Sequence, residues 1–125
     1  MKRFSESLFT LIIITIIPLS LYADTEVSSD VSGEWTTDGS PYIATDQIVV
    51  PNGESLNIEA GVQVHFEDDY QFIIYGQLTA EGSEEDSIFF RSSEDDGIWG
   101  GLRFLNADRN TRLNCCVVTG GHNSG

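Results

Sequence analysis

Basic residues are scarce in this chain of 125 residues. Six lysines and arginines stand against 20 aspartates and glutamates, which leaves a formal net charge of −14 at neutral pH. Such a chain repels phosphate groups and anionic lipid headgroups, so its composition argues against nucleic-acid binding and against adsorption to an acidic membrane. The acids alternate with β-branched and aromatic residues, and we therefore expect them on the loops and outer faces of an ordered sheet.

Cysteine is rarer still, and the two that are present are neighbours, Cys115 and Cys116. Adjacent Cα atoms lie about 3.8 Å apart, which is closer than in the usual disulfide and argues against a bridge. With His65 and His122 as the only histidines, the chain also has few ligands for a zinc site. We expect both cysteines to be buried as small apolar side chains.

Helical periodicity is missing after residue 23, where no window carries an apolar stripe at i, i+3, i+4 and i+7. Apolar residues instead alternate with polar ones, as in Leu56-Asn57-Ile58 and Val62-Gln63-Val64-His65-Phe66. Alternation with a period of two, interrupted by glycine turns every few residues, predicts short β-strands and almost no helix.

Two stretches, 48–66 and 72–90, repeat one pattern of short strands. Ile48 and Phe72 are 24 positions apart, and so are Val64 and Ile88. A period in the twenties predicts a solenoid of stacked parallel strands, in which Leu56 lies over Leu78 and Val64 over Ile88. The predicted interior consists of Leu56, Ile58, Val62, Val64, Phe66, Ile74, Leu78, Ile88, Phe90, Leu102 and Phe104.

The first 23 residues have the layout of a secretory signal peptide. Lys2 and Arg3 precede an apolar run from Leu8 to Ile17, and the small residue Ala23 marks the expected cleavage point. The run is shorter than the roughly 20 residues of a membrane-spanning helix. We therefore expect an exported protein, secreted or at the cell surface. Its mature chain has four arginines against 19 acids, a net charge of −15.

The mature chain is predicted to have three parts. Residues 24–30 are polar and acidic, and we expect a flexible lead-in there. Residues 31–47 are expected to cap the exposed end of the stack, with Trp35 as the plug. Residues 48–125 are expected to form about three coils of an incomplete solenoid.

The order of the motifs resembles the opening of secreted bacterial right-handed parallel β-helix repeat proteins of the pectate-lyase-like kind. In that family a "P-x-G-x-x-L-x-I-x-x-G-V" segment precedes a "W-G-G-I-x-F" segment. The matching stretches here run from Pro51 to Val62 and from Trp99 to Phe104, and the similarity extends over about 31–121. The resemblance implies an all-β, right-handed parallel β-helix that continues for many more coils. Since this chain stops at Gly125, we expect a C-terminally truncated fragment, the N-terminal portion of such a protein.

Acidic runs at the joints between predicted strands are the candidates for metal binding. Stacked turns could bring together Asp68, Asp69, Asp95 and Asp96, and calcium is coordinated by converging oxygen atoms of this kind. The alternative, which also stays open, is that these carboxylates are solvated loop charges that discourage edge-to-edge pairing. No other cofactor is indicated.

No residue is assigned a catalytic role. Arg103 is expected to point outward from its strand, as a β-helix lyase would require, but no acid pair lies beside it at i and i+2. His65 also points outward, without a partner set for nucleophilic catalysis. Tyr70, Tyr75 and Phe89 are outward aromatic residues that could carry sugar rings, although we expect loops to cover them.

Two functions remain open after these arguments. The first is a non-catalytic secreted or cell-surface scaffold for adhesion or carbohydrate contact, with a polysaccharide or surface glycan as partner. The alternative is the N-terminal fragment of a β-helix polysaccharide lyase or other carbohydrate-active enzyme. In both cases the final coil would have an open edge, and we expect self-association through that C-terminal end.

Overall fold

The computed structural model describes residues 24–121. The predicted signal peptide, residues 1–23, and His122 lie outside the described residues. The described part contains eleven β-strands and one short 3-10 turn, Thr37–Gly39. The strands are β1 Thr25–Asp30, β2 Gly33–Trp35, β3 Tyr42–Val50, β4 Ser55–Ile58, β5 Gln63–Phe66, β6 Gln71–Ile74, β7 Gln77–Glu81, β8 Ile88–Ser92, β9 Gly101–Phe104, β10 Arg112–Asn114 and β11 Cys116–Val118.

Every strand pair among the described residues is parallel, as the repeat predicted. The pairs form three columns, each stacked in chain order. Column 1 contains residues 25–27 of β1, residues 42–44 of β3, and then β5, β8 and β11. Column 2 contains residues 29–30 of β1, residues 48–50 of β3, and then β6 and β9. Column 3 is the separate four-stranded sheet β2, β4, β7 and β10.

The chain visits the columns in the order 1, 2, 3 and then starts again. Because each visit returns to a column one rung later, strands distant in sequence become neighbours and pair in parallel. This arrangement is all-β, with parallel strands in curled sheets, and is compatible with a β-solenoid.

The interior is apolar and continuous through the columns. Nine of the eleven predicted core residues are buried, namely Leu56, Ile58, Val62, Val64, Phe66, Ile74, Leu78, Ile88 and Phe90. Aromatic rings add to this core: Phe66 stacks on Trp99 with centroids 4.1 Å apart, and Trp35 stacks on Tyr42 at 4.6 Å. Trp35 is buried, as its predicted role as a plug requires.

Two of the predicted core residues are not buried. Leu102 is only half-buried and Phe104 is 43% exposed. Both point inward on β9, opposite Phe72 and Ile74. Among the described residues β9 is the last strand of column 2, so nothing stacks on its other side.

One predicted register is wrong. Leu56 pairs with Leu78 as predicted, but Val64 pairs with Phe90 and not with Ile88. The cause is a longer turn: residues 82–87 separate β7 from β8, whereas residues 59–62 separate β4 from β5. The longer turn is closed by reciprocal backbone hydrogen bonds between Ser83 and Asp86 at 3.1 and 3.2 Å.

Residues Thr25–Asp30 form strand β1 in place of the flexible lead-in that their composition suggested. β1 pairs with β3 along most of its length, apart from an irregularity between Val27 and Ser29. Polar composition misled the prediction, because an edge strand at the end of a stack exposes most of its side chains. The segment predicted as a cap, 31–47, likewise contains β2 and the first half of β3.

The expected burial of both cysteines is also wrong. Cys115 is exposed and Cys116 is half-buried. Cys115 forms the corner between β10 and β11 with a positive φ of 53°, while Cys116 points toward the interior of column 1 opposite Ile88. Burial raises the pKa of the Cys116 thiol.

Candidate functional site

The outer face of column 3 is a surface of aligned polar side chains. Leu56, Ile58, Leu78 and Ala80 point inward and are buried, so the residues between them point outward. The register places these outward residues in rows across the strands: Ser55 beside Gln77; Glu34, Asn57, Thr79 and Arg112 in one line; and Glu81 beside Asn114.

A shallow groove of about 490 Å³ lies on this face. Its lining includes the carboxylates of Glu34, Glu59 and Glu81 together with Asn57 and Thr79. Glu59 is held at one rim, where its Oε1 accepts a hydrogen bond of 2.9 Å from the backbone N–H of Thr37. On the neighbouring strand β7, the carboxylate of Glu81 lies 3.8 Å from the guanidinium of Arg112.

A second cleft, of about 400 Å³, lies at the corner where column 2 turns into column 3. Tyr75 lies in its wall and is 41% exposed. Around it are side-chain amides and carboxylates contributed by three successive coils: Asn52, Glu54, Gln77, Asn106 and Asp108. A hydrogen bond of 3.3 Å from Gln77 Nε2 to Thr79 Oγ1 connects the corner cleft to the groove.

The backbone at Tyr75 is firmly held. The amide N–H groups of Tyr75 and Gly76 both donate to the carbonyl of Val50, at 2.9 and 3.0 Å. A Cβ atom on Gly76 would overlap the backbone carbonyl oxygens of Pro51 and Glu54, so this corner requires glycine. The Gly76 carbonyl in turn accepts from the N–H of Asp108 at 2.9 Å, which fixes the third coil of the cleft.

These groups suit a flat, hydroxylated ligand. An aromatic ring offers a face for apolar C–H groups, while amides supply both donors and acceptors and carboxylates supply acceptors for hydroxyl groups. Of the three aromatic residues expected to point outward, only Tyr75 is exposed. Tyr70 is half-buried and packs against the apolar core, Phe89 is half-covered, and Tyr75 is exposed against the expectation that a loop covers it.

A smaller groove of about 270 Å³ lies on column 1, beside Phe89, Arg91 and Val117. Arg91 forms a 3.0 Å ion pair with Asp95. His65 occupies the next rung, opposite Arg91, and its Nε2 lies 2.9 Å from Gln63 Oε1. Burial, and secondarily the Arg91 cation, lower the pKa of His65, while Asp24 opposes them.

The four acids predicted as calcium candidates lie on two turns. Asp68 and Asp69 follow β5, whereas Asp95 and Asp96 follow β8, the next strand in column 1. All four are exposed; Asp68 Oδ1 accepts from the N–H of Asp69, and Asp95 pairs with Arg91. Within residues 24–121 no group of three or more His, Cys, Asp or Glu side chains is arranged to hold a metal ion.

Arg103 is exposed on the outer face of β9, as predicted. Its neighbours along the outer row of column 2 are Ile73 and then Val49. Along this row the structure therefore places apolar side chains next to the arginine.

The corner cleft was missed at the level of sequence. Its residues come from positions 52–55, 75–77 and 106–108, which are unremarkable polar turns when considered separately. The feature of the sequence that could have indicated the cleft is Tyr75-Gly76, an aromatic residue and a glycine at the end of a repeat, directly before β7.

No protein-family profile, curated protein or solved structure matches the chain. Over residues 24–121 there is also no helix of the length and apolarity needed to span a membrane.

Proposed function

We propose that this chain is part of an exported right-handed parallel β-helix that contacts carbohydrate, without catalysis, through the outer face of column 3. The observation that carries the proposal is the corner cleft. There an exposed tyrosine ring lies among side-chain amides and carboxylates, on a backbone held by hydrogen bonds from adjacent coils.

The groove beside the cleft supports an extended ligand and not a single small molecule. The two depressions share the outer face of β4 and β7, and the rows of polar side chains cross these strands at the regular strand spacing of about 4.8 Å. A polysaccharide could therefore make a similar contact with each rung. The carboxylates that line the groove favour a neutral or cationic glycan over an acidic one.

A lyase site on this part of the chain would place an outward arginine beside calcium-binding acids. Arg103 has Ile73 and Val49 along its row, and this geometry supports a non-catalytic role for the described residues. The alternative remains the N-terminal fragment of a β-helix polysaccharide lyase whose site lies outside them.

Affinity electrophoresis of the purified protein through gels containing neutral, basic or acidic polysaccharides tests the proposal. We expect retardation by a neutral or basic polymer. Tyr75→Ala should weaken the binding of the polysaccharide by up to about tenfold, because a lost aromatic contact is worth about 0.5–1.5 kcal/mol. Tyr75→Phe should keep most of the affinity, and Phe89→Ala, a half-covered aromatic residue on column 1, is the matched control.

Equal binding by the wild-type protein and by Tyr75→Ala would refute the cleft as the site. Shortening of the polymer during incubation would instead support the enzyme alternative.

A further inference from the structure

The turns that connect column 2 to column 3 differ in length from coil to coil. Residues 51–54 join β3 to β4, residues 75–76 join β6 to β7, and residues 105–111 join β9 to β10. These turns stack on one another, so the two-residue turn lies between two longer ones. The corner cleft is the gap that results, since all three turns contribute to its lining.

The short turn is held from both sides. A Cβ atom on Gly76 would overlap the carbonyl oxygens of Pro51 and Glu54, so the turn of the preceding coil lies directly against it. From the following coil, the N–H of Asp108 donates to the Gly76 carbonyl at 2.9 Å. Gly76 is buried while the neighbouring Tyr75 is 41% exposed. The cleft therefore has a fixed backbone at Gly76 and an accessible ring beside it.

The two longer turns limit the cleft in the direction of the stack axis. Neighbouring rungs are about 4.8 Å apart, so the backbones of the two flanking coils are separated by about 9.6 Å at this corner. Asn52 lines the cleft from one of these turns and Asn106 from the other. This width accommodates one sugar ring, and a polymer that ran along the axis past Tyr75 would collide with both turns. The unit that contacts Tyr75 must therefore enter along the strand direction.

The polar groups of the cleft are available to a ligand. The side-chain amides of Asn52 and Asn106 form no hydrogen bond with any residue of the described range 24–121. Amides donate to and accept from hydroxyl groups, and a terminal sugar presents more free hydroxyls than a unit linked on both sides. The carboxylates of Glu54 and Asp108 also line the cleft and disfavour an acidic terminal sugar.

We propose that the corner cleft binds the terminal sugar of a neutral glycan, at a chain end or at a branch. The inference rests on the proposed function and adds which part of the glycan is recognised. The rest of the glycan leaves over β4 and β7. Ser55 and Gln77 line the cleft, and the next outward residues on the same strands, Asn57 and Thr79, line the groove. Two residues along a strand span about 6.6 Å, so the units that follow the terminal sugar reach the groove.

Affinity electrophoresis with paired polymers tests the proposal. Glycogen is compared with amylose, galactomannan with the same polymer after removal of its galactose branches, and a branched α-mannan with its linear backbone, each at equal sugar mass. The polymers of each pair share a main chain, but the linear one has far fewer terminal sugars. Where a branched polymer retards the protein, its linear partner should bind at least tenfold more weakly. The methyl glycoside of that terminal sugar should compete with the branched polymer.

Substitutions in the flanking turns test the position of the site. Asn52→Ala with Asn106→Gly removes both amides, and glycine suits the positive φ of 56° at Asn106. This double variant should bind the branched polymer about tenfold more weakly or less, because two hydrogen bonds are lost. Asn110→Ala is the matched control, since Asn110 is exposed on the same turn as Asn106 but does not line the cleft. Urea midpoints show that each variant is folded.

Asn57→Ala separates the cleft from the groove. This variant should bind the branched polymer more weakly, because Asn57 lines the groove. The concentration of methyl glycoside that halves the remaining binding should stay unchanged.

Equal retardation by branched and linear polymers would overturn the terminal-sugar inference and leave the proposed function standing. Retardation by a basic polymer alone would have the same consequence. Undiminished binding by the double variant would show that the terminal sugar is bound elsewhere. If no neutral or basic polymer retards the wild-type protein, the proposed function is itself wrong, and this inference with it.

Discussion

Trp99 provides the sharpest test of the packing. Its side chain is fully buried although it lies outside the regular strands, directly before β9. It stacks on Phe66 at 4.1 Å with the rings 8° from parallel, and its Nε1 donates to the carbonyl of Thr119 at 2.7 Å. The Trp99 N–H also donates to the Gly120 carbonyl at 3.0 Å. One residue thus connects β5, the start of β9 and the segment after β11.

Trp99→Ala should lower the free energy of unfolding by about 3–5 kcal/mol, the range for loss of a fully buried large aromatic side chain. Trp99→Phe retains a ring against Phe66 and loses the hydrogen bond to Thr119, a contribution of about 1 kcal/mol. Its effect should therefore fall well below that of the alanine variant. Since the free energy of unfolding of a small domain is only about 5–15 kcal/mol, the Trp99→Ala variant should retain only a small part of it.

Urea unfolding followed by far-ultraviolet circular dichroism measures these differences without relying on tryptophan fluorescence. Phe104→Ala is the matched control, because Phe104 points inward but is 43% exposed on the last strand of column 2; its effect should stay below about 1.5 kcal/mol, roughly half that of full burial. If Trp99→Ala is within about 1 kcal/mol of the wild-type protein, or if Phe104→Ala is equally damaging, the proposed packing is wrong.

Three further predictions concern the corner glycine, the half-buried histidine and export. Gly76→Ala should destabilise the protein more than Gly53→Ala does. A Cβ at Gly76 overlaps backbone carbonyls, whereas Gly53 has a positive φ of 86° with open space around it. Equal urea midpoints for the two variants would contradict this prediction. Because burial lowers the pKa of His65 below its ordinary value of about 6.5, the unfolded chain binds the proton more readily. Stability should be full above about pH 6.5 and decline as the pH falls below it, and His65→Gln should flatten this slope in urea midpoints between about pH 7.5 and 5.5. Intact-mass measurement of the secreted protein should give a 102-residue chain that begins at Asp24 after loss of 23 residues, and full-length protein retained in a membrane fraction would count against a cleaved signal peptide.

Much of the fold could be predicted because alternation in a strand is a local property. Whether Leu56 or Asn57 faces the core depends only on the period of two, and the nine confirmed core residues follow from it. Parallel stacking followed from the repeat, because a strand that returns after about one coil in the same direction can only pair in parallel. The pairing of Leu56 with Leu78 belongs to this class.

The candidate site was less predictable, because it is assembled across coils. Tyr75 was recognised as an outward aromatic residue, but its exposure depends on whether any loop folds over it. The partners of Tyr75, Asn52 and Asn106 among them, lie one coil away on either side and meet it only because the turns stack.

The sequence alone therefore determined the strand type, the inward face and the parallel order, all of which depend on local periodicity and on repetition. The tertiary structure decided the register of Val64 with Phe90. A longer turn lengthens the coil and shifts the strand that follows it, but it leaves the alternation of apolar and polar residues within that strand unchanged. The tertiary structure also decided which inward residues are buried, since Phe104 has the same alternation as Ile74 but no strand stacked beyond it among residues 24–121. Burial is a property of the neighbouring rung, and in a stacked fold that rung lies a full coil away along the chain.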